Sequence, residues 1–169
     1  MSVTNTPHLN FCGDARQALE FYHSVFGGQL MIATYGQFGV PQDDPDGGPV
    51  TFSPVAAGSP DADQVAFGVV IGDSGFRVAA YDVFGSTGGG IAGGSMQTAR
   101  RASGLTHDEP FFLLLNGDTA AEVSVLWDKL AAGATVLAAL VTSESAAPPY
   151  GMLTDCFGVT WIVGVTPAG

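Results

Sequence analysis

The segment LNFCGDARQALEFYHSVFGG, residues 9–28, returns later in the chain as LLLNGDTAAEVSVLWDKLAAG, residues 113–133. Superimposing the two sets Leu9 on Leu113, Phe11 on Leu115, Gly13 on Gly117, Asp14 on Asp118, Leu19 on Val123, Tyr22 on Leu126 and Phe26 on Leu130. Such a duplication restricts the chain to folds assembled from two like modules. Each copy reads as a short apolar strand, a Gly-Asp turn and an amphipathic helix closed by glycine, with more strand-like sequence behind it. The expected class is α+β, a β-α-β-β-β module used twice.

In the first copy, alternation puts Leu9 and Phe11 on one strand face and His8, Asn10 and Cys12 on the other. Ala18, Leu19, Tyr22, Val25 and Phe26 then share one side of a helix, for which Asp14 and Gln17 have capping-box spacing. Residues 30–35 read as a second strand. Residues 36–64, rich in Gly, Pro, Asp and Ser, read as a long loop with one short strand near 50–52. Residues 65–71 and 76–83 form an expected hairpin across Gly72-Asp73-Ser74-Gly75. The first module thus spans about residues 7–84, a Gly-rich linker about 85–109 with a short helix carrying Arg100 and Arg101, and the second module about 110–166, all within a single domain over 1–169. In the second module Thr119 and Glu122 repeat the capping-box spacing, and Val123, Leu126, Trp127 and Leu130 form the apolar side of the helix.

With 169 residues, 46% of them hydrophobic, the chain can bury a sizeable core. Five basic against sixteen acidic residues, a formal charge of −11, repel phosphate backbones and anionic lipid, so neither nucleic acid nor membrane is an expected partner. No apolar run approaches the roughly twenty residues of a bilayer span, and the basic and apolar regions of a signal peptide are missing from MSVTNTPHLN, so a cytoplasmic location is expected. Cys12 and Cys156 have no paired spacing and read as ordinary reduced thiols.

Two segments, PHLNFCGDARQALEFYHSVFGG and YGMLTDCFGVTWIVG, together resemble the PhnB-like branch of the vicinal oxygen chelate superfamily, which includes glyoxalase I, bleomycin-resistance proteins and extradiol dioxygenases. The resemblance implies two βαβββ modules whose sheets form a cup, a glyoxalase/bleomycin-resistance/dioxygenase-like fold, with chains pairing as homodimers. It also implies a divalent metal held by His or carboxylate ligands from the first and last strands of each module. Here those positions fall on Pro7 or His8, Phe111 or Phe112, Ala79 and Ile162. Only His8 can ligate, and one side chain does not make a three- or four-ligand site. No metal ligand set and no cofactor is therefore predicted. Nor does any residue support the methyl transfer with which some PhnB-like sequences are labelled.

Gly88-Gly89-Gly90-Ile91-Ala92-Gly93 matches G-x-G-x-x-G, with Asp108 and Glu109 beyond it, but a dinucleotide site needs a substantial helix at the last glycine, and a flexible linker is favoured. Arg100 and Arg101 read as a solvated face before an anion clamp, His23 and His107 as exposed, and Asp155 as a turn residue. Three scattered histidines assemble no Ser-His-Asp or Cys-His triad. In a cup, alternate strand residues face the concavity, which nominates His8, Tyr35, Phe67, Tyr81 and Trp161 as ligand-binding residues. The leading expectation is a protein binding a small apolar or aromatic molecule without a complete metal site. The alternatives are a divalent-metal-dependent lyase or dioxygenase, with ligands such as Asp82, Glu144 or residues of a partner chain, and a nucleotide-binding protein using the Gly-rich linker.

Overall fold

A computed structural model describes residues 4–42, 51–89, 98–101, 104–107, 112–141 and 150–166. They fall into two compact units, Met1–Ala92 and Gly93–Gly169. The first runs β1 (His8–Phe11), α1 (Ala15–Phe26), β2 (Gln29–Thr34), α2 (Tyr35–Phe38), β3 (Val40–Gln42), β4 (Thr51–Ser53), a 3-10 turn (Pro60–Asp63), β5 (Val65–Ile71) and β6 (Arg77–Asp82). In the second follow β7 (Thr98–Arg101), β8 (Gly104–His107), β9 (Leu113–Gly117), α3 (Ala120–Leu130), β10 (Thr135–Ala138), β11 (Tyr150–Thr154) and β12 (Thr160–Val165). The main sheets are ordered β1-β6-β5-β2 and β10-β11-β12-β9. Each module's first strand lies parallel to its last, and the other neighbours are antiparallel. The sequence duplication is thus a duplication of topology, and the α+β class with two βαβββ modules is observed.

In the first unit the sheet buries one face beneath α1. Leu9, Phe11, Val70, Val78 and Ala80 come from the strands, and Ala15, Ala18, Leu19, Tyr22, Val25 and Phe26 from the helix. The approach is close enough that a side chain at Gly68 would run into Leu19. Phe26 stacks on Phe76 of the hairpin turn, ring centroids 3.7 Å apart. Gly27, at φ 67°, ends the helix by donating its N–H to the carbonyl of His23.

The helix start differs from expectation. Asp14 makes no side-chain cap bond; the carboxylate comes from Asp82 at the end of β6. Oδ1 of Asp82 accepts N–H bonds from Gly13 (2.8 Å) and Ala15 (3.0 Å), and Oδ2 accepts one from Val65 (2.9 Å). One buried side chain therefore satisfies orphan donors of the β1–α1 turn and the first donor of β5. Its backbone carbonyl also accepts the hydroxyl of Tyr35 at 2.8 Å, which ties α2 to the same point.

The second unit packs α3 on β9 and β12 less deeply. Val123 and Leu130 are buried, whereas Leu126 and Trp127 are half-buried. Here the cap does form: the Thr119 hydroxyl accepts from Glu122 N–H (3.2 Å), and Glu122 Oε2 from Asp118 N–H (3.3 Å).

Two other expectations change. Tyr35 does not end a strand but opens α2, because Thr34 and Gln37 close a capping box around it. Arg100 and Arg101 lie in β7, paired to β8, and not in a helix. A ladder with the facing strand supplies their backbone bonds. Residues 90–97 of the Gly-rich linker and residues 43–50 lie outside the described residues.

Asp82→Ala should leave two buried N–H groups, of Ala15 and Val65, and the part-buried N–H of Gly13 without acceptors and lower stability by about 3 kcal/mol. Asp14→Ala should cost less, since the donors at the start of α1 bond to Asp82 and not to Asp14. Urea denaturation of the two variants checks the ranking; a larger loss at Asp14 would contradict Asp82 as the acceptor that matters.

Candidate functional site

Strand alternation decides what the other face of the first sheet offers. With Gly68, Val70, Val78, Ala80, Leu9 and Phe11 committed to α1, the opposite parity carries His8 and Asn10 of β1, Ala79 and Tyr81 of β6, Phe67 and Val69 of β5, and Met31 and Ala33 of β2. Met31 is 62% and Phe67 44% exposed, so this face is apolar and open within its unit. From α2 come Tyr35 and Phe38, and from the β3–β4 hairpin Pro41 and Phe52, to wall off a cavity of about 480 Å³ over it. Its floor holds His8, Tyr81, Ala66 and Phe67. A neighbouring hollow of about 600 Å³ shares Phe38 and Phe67 and extends over Met31 and Ala33.

The floor residues touch one another. The His8 ring stands edge-on to Phe67 at 5.9 Å and to Tyr81 at 5.2 Å between centroids. Partial burial against these rings lowers the His8 pKa below its ordinary 6.5, so the imidazole is neutral at pH 7. For Tyr35 the pKa is raised, by burial first and then by Tyr81 and Asp82. Its proton is committed to the Asp82 carbonyl, leaving the phenol oxygen as an acceptor. The cavity therefore combines apolar walls with a few polar points, the composition of a small-molecule site.

Four of the five residues nominated from sequence, His8, Tyr35, Phe67 and Tyr81, line this one cavity. Trp161 does not join them. It belongs to β12 in the second unit, 1% exposed, with its indole N–H donated to Asp155 Oδ2 at 2.8 Å. Trp161 shares its strand face with Val163, whose partner in β11, Gly151, lies against Trp127 of α3, so it faces the helix. Asp155 is more than a turn residue, since its Oδ1 also accepts N–H bonds from Phe157 (2.9 Å) and Val159 (3.0 Å).

The metal expected of the fold family does not fit these residues. His8 is paired with Ala79, and Ile162 with Leu114, two places beyond Phe112, so three of the four positions, Ala79, Phe112 and Ile162, carry hydrocarbon side chains with no donor atom. Among the described residues no three His, Cys, Asp or Glu side chains come together as a ligand group. Both oxygens of Asp82 are occupied by backbone N–H groups, and Glu144 lies outside the described residues. Cys156 is exposed, and its thiol pKa is raised by burial and then by Asp155, the opposite of an activated nucleophile.

Sequence reasoning missed Phe38, Pro41 and Phe52, all within the stretch read mainly as loop. The Thr34-to-Gln37 spacing was the available signal: a helical turn there brings Tyr35 and Phe38, three residues apart, onto one side.

No model of a known protein family matches the sequence, and no curated protein matches it. Solved structures do. Protein PA1353 from Pseudomonas aeruginosa is 27% identical, with a TM-score of 0.63 over 97% of this chain and 98% of that one. A PhnB protein from Bacillus cereus is 19% identical, with a TM-score of 0.54 over 97% of this chain and all of that one. A glyoxylase/bleomycin resistance protein/dioxygenase domain from Frankia is 13% identical, with a TM-score of 0.54 over 99% of both chains. The repeated βαβββ topology and these likenesses together give the chain the fold of a glyoxylase/bleomycin resistance protein/dioxygenase domain, with a PhnB protein among its structural neighbours.

Proposed function

We propose that the protein binds a small, flat apolar or aromatic molecule in the cavity of its first unit, without a metal, as a cytoplasmic homodimer. The observation that carries this reading is the convergence of His8, Tyr35, Phe67 and Tyr81, from four separate elements, on one cavity of about 480 Å³. That volume lies in the usual range for small-molecule sites. Rings on several sides favour a planar guest, while neutral His8 and the Tyr35 oxygen supply points of orientation. Among the described lining residues no nucleophile–base pair is formed, which favours binding over catalysis. A homodimer is supported by the exposed apolar side chains on the helix-free sheet faces, Met31 at 62% and Leu114 at 65%. No helix among the described residues is long and apolar enough to cross a membrane.

Three outcomes follow. Phe67→Leu and Tyr81→Leu should each weaken an aromatic ligand about three- to tenfold with little loss of stability, from about 0.5 to 1.5 kcal/mol per ring contact. Trp161→Ala should instead cost about 3 to 5 kcal/mol of stability. Thermal shift and calorimetry on the same variants separate the two effects, and the reverse pattern would move the site to the second unit. Affinity for a neutral ligand should hold across neutral pH and fall only when His8 protonates, below the ordinary imidazole value of 6.5, and His8→Gln should flatten that profile. A profile that breaks above 6.5, or one unchanged in His8→Gln, counts against His8 in the site. Sedimentation at micromolar concentration should give a mass near twice 17.2 kDa; a monomer at every dilution would remove the dimer.

A further inference from the structure

We infer that the cavity selects an organic cation, a quaternary or protonated amine attached to a flat apolar body, over a neutral molecule of the same shape. This rests on the reading of the same cavity as a binding site and adds the sign of its ligand's charge.

The lining is made chiefly of rings: His8, Tyr35, Phe38, Phe52, Phe67 and Tyr81. The face of an aromatic ring is negative and attracts a desolvated cation, most strongly where several rings meet. Nothing basic offsets this, for no Lys or Arg is among the described lining residues. Arg77 shares the sheet face but stands four residues before Tyr81 on β6, about 13 Å away along an extended strand. His8 is neutral at pH 7, so it adds no repelling charge.

Beneath the floor lies Asp82, next to Tyr81 in β6 and 1% exposed. Its hydrogen bonds come from backbone N–H groups, not from a basic side chain. Backbone dipoles do not cancel the net charge of a carboxylate, so Asp82 is a source of negative potential one residue from Tyr81, with its own carbonyl bonded to the Tyr35 hydroxyl. The chain's formal charge of −11 adds a field that draws cations inward from solution. Metals are poorly served by such walls, since the cavity offers phenol and imidazole at scattered points; a soft, weakly hydrated organic cation suits them.

The test is calorimetric titration of the whole chain with phenyltrimethylammonium and with tert-butylbenzene, its uncharged isostere. The cation should bind about fivefold or more tightly. Phe67→Leu and Tyr81→Leu should shrink that ratio, and Arg16→Gln on the helix surface should not. Equal affinities, or tighter binding of tert-butylbenzene, would overturn the charge preference and leave the cavity standing as an apolar site. If neither compound binds, the binding reading and the preference fall together.

Discussion

One buried carboxylate holds the first unit in register. Asp82 brings three backbone N–H groups, from Gly13, Ala15 and Val65, to a point where β1, α1, β5 and β6 meet, and its carbonyl adds Tyr35. The donors of Ala15 and Val65 would otherwise be buried without a partner, at about 1–3 kcal/mol apiece. The same bonds that start the helix therefore set where Tyr35 stands and where β5 begins. Tyr35 and the residues that follow it then form the wall of the cavity. Stability and site geometry are coupled through one side chain.

The second unit has its own version of this arrangement at a different place. Asp155 accepts from Phe157, Val159 and the indole of Trp161, so the turn before β12 and the largest core side chain are fastened together. The two carboxylates are not equivalent in the repeat. With Gly75 matched to Gly158, Asp82 corresponds to Val165 and Asp155 to Gly72. The modules share topology but each solves its buried-donor problem separately. Accordingly, the first unit carries His8, Phe67 and Tyr81 on the sheet face away from α1, whereas the second places Trp161 against the helix side.

Much of this was legible in the chain. The repeat, the helix stripe through Leu19, Tyr22 and Phe26, and the hairpin turning at Gly72–Gly75 follow from periodicity and turn chemistry, and all are present. So is the grouping of His8, Tyr81 and Phe67, which needed only alternation in strands whose partners the topology supplies. Trp161 was misplaced although the repeat held the answer: it aligns with Val78, a helix-facing residue, and neighbours Ile162, which aligns with Ala79 on the open face. A strand read one place out exchanges its faces. The capping boxes teach a similar lesson. Asp14 with Gln17 had the spacing but lost to Asp82, a long-range competitor invisible to local pattern, while Thr34 with Gln37 formed one inside a supposed strand end. A charged residue at Asp82, on the apolar parity of β6, was the sign that buried donors awaited it.

The most direct measurement of where the binding face lies is a side-chain NMR titration with an aromatic ligand, following ring resonances in both units. The ring signals of His8, Phe67 and Tyr81 should move together and saturate at one ligand concentration, while the Trp161 indole N–H, held by Asp155, stays in place. Movement of the Trp161 signal with the three cavity rings unaffected would contradict a site on the helix-free face of the first unit.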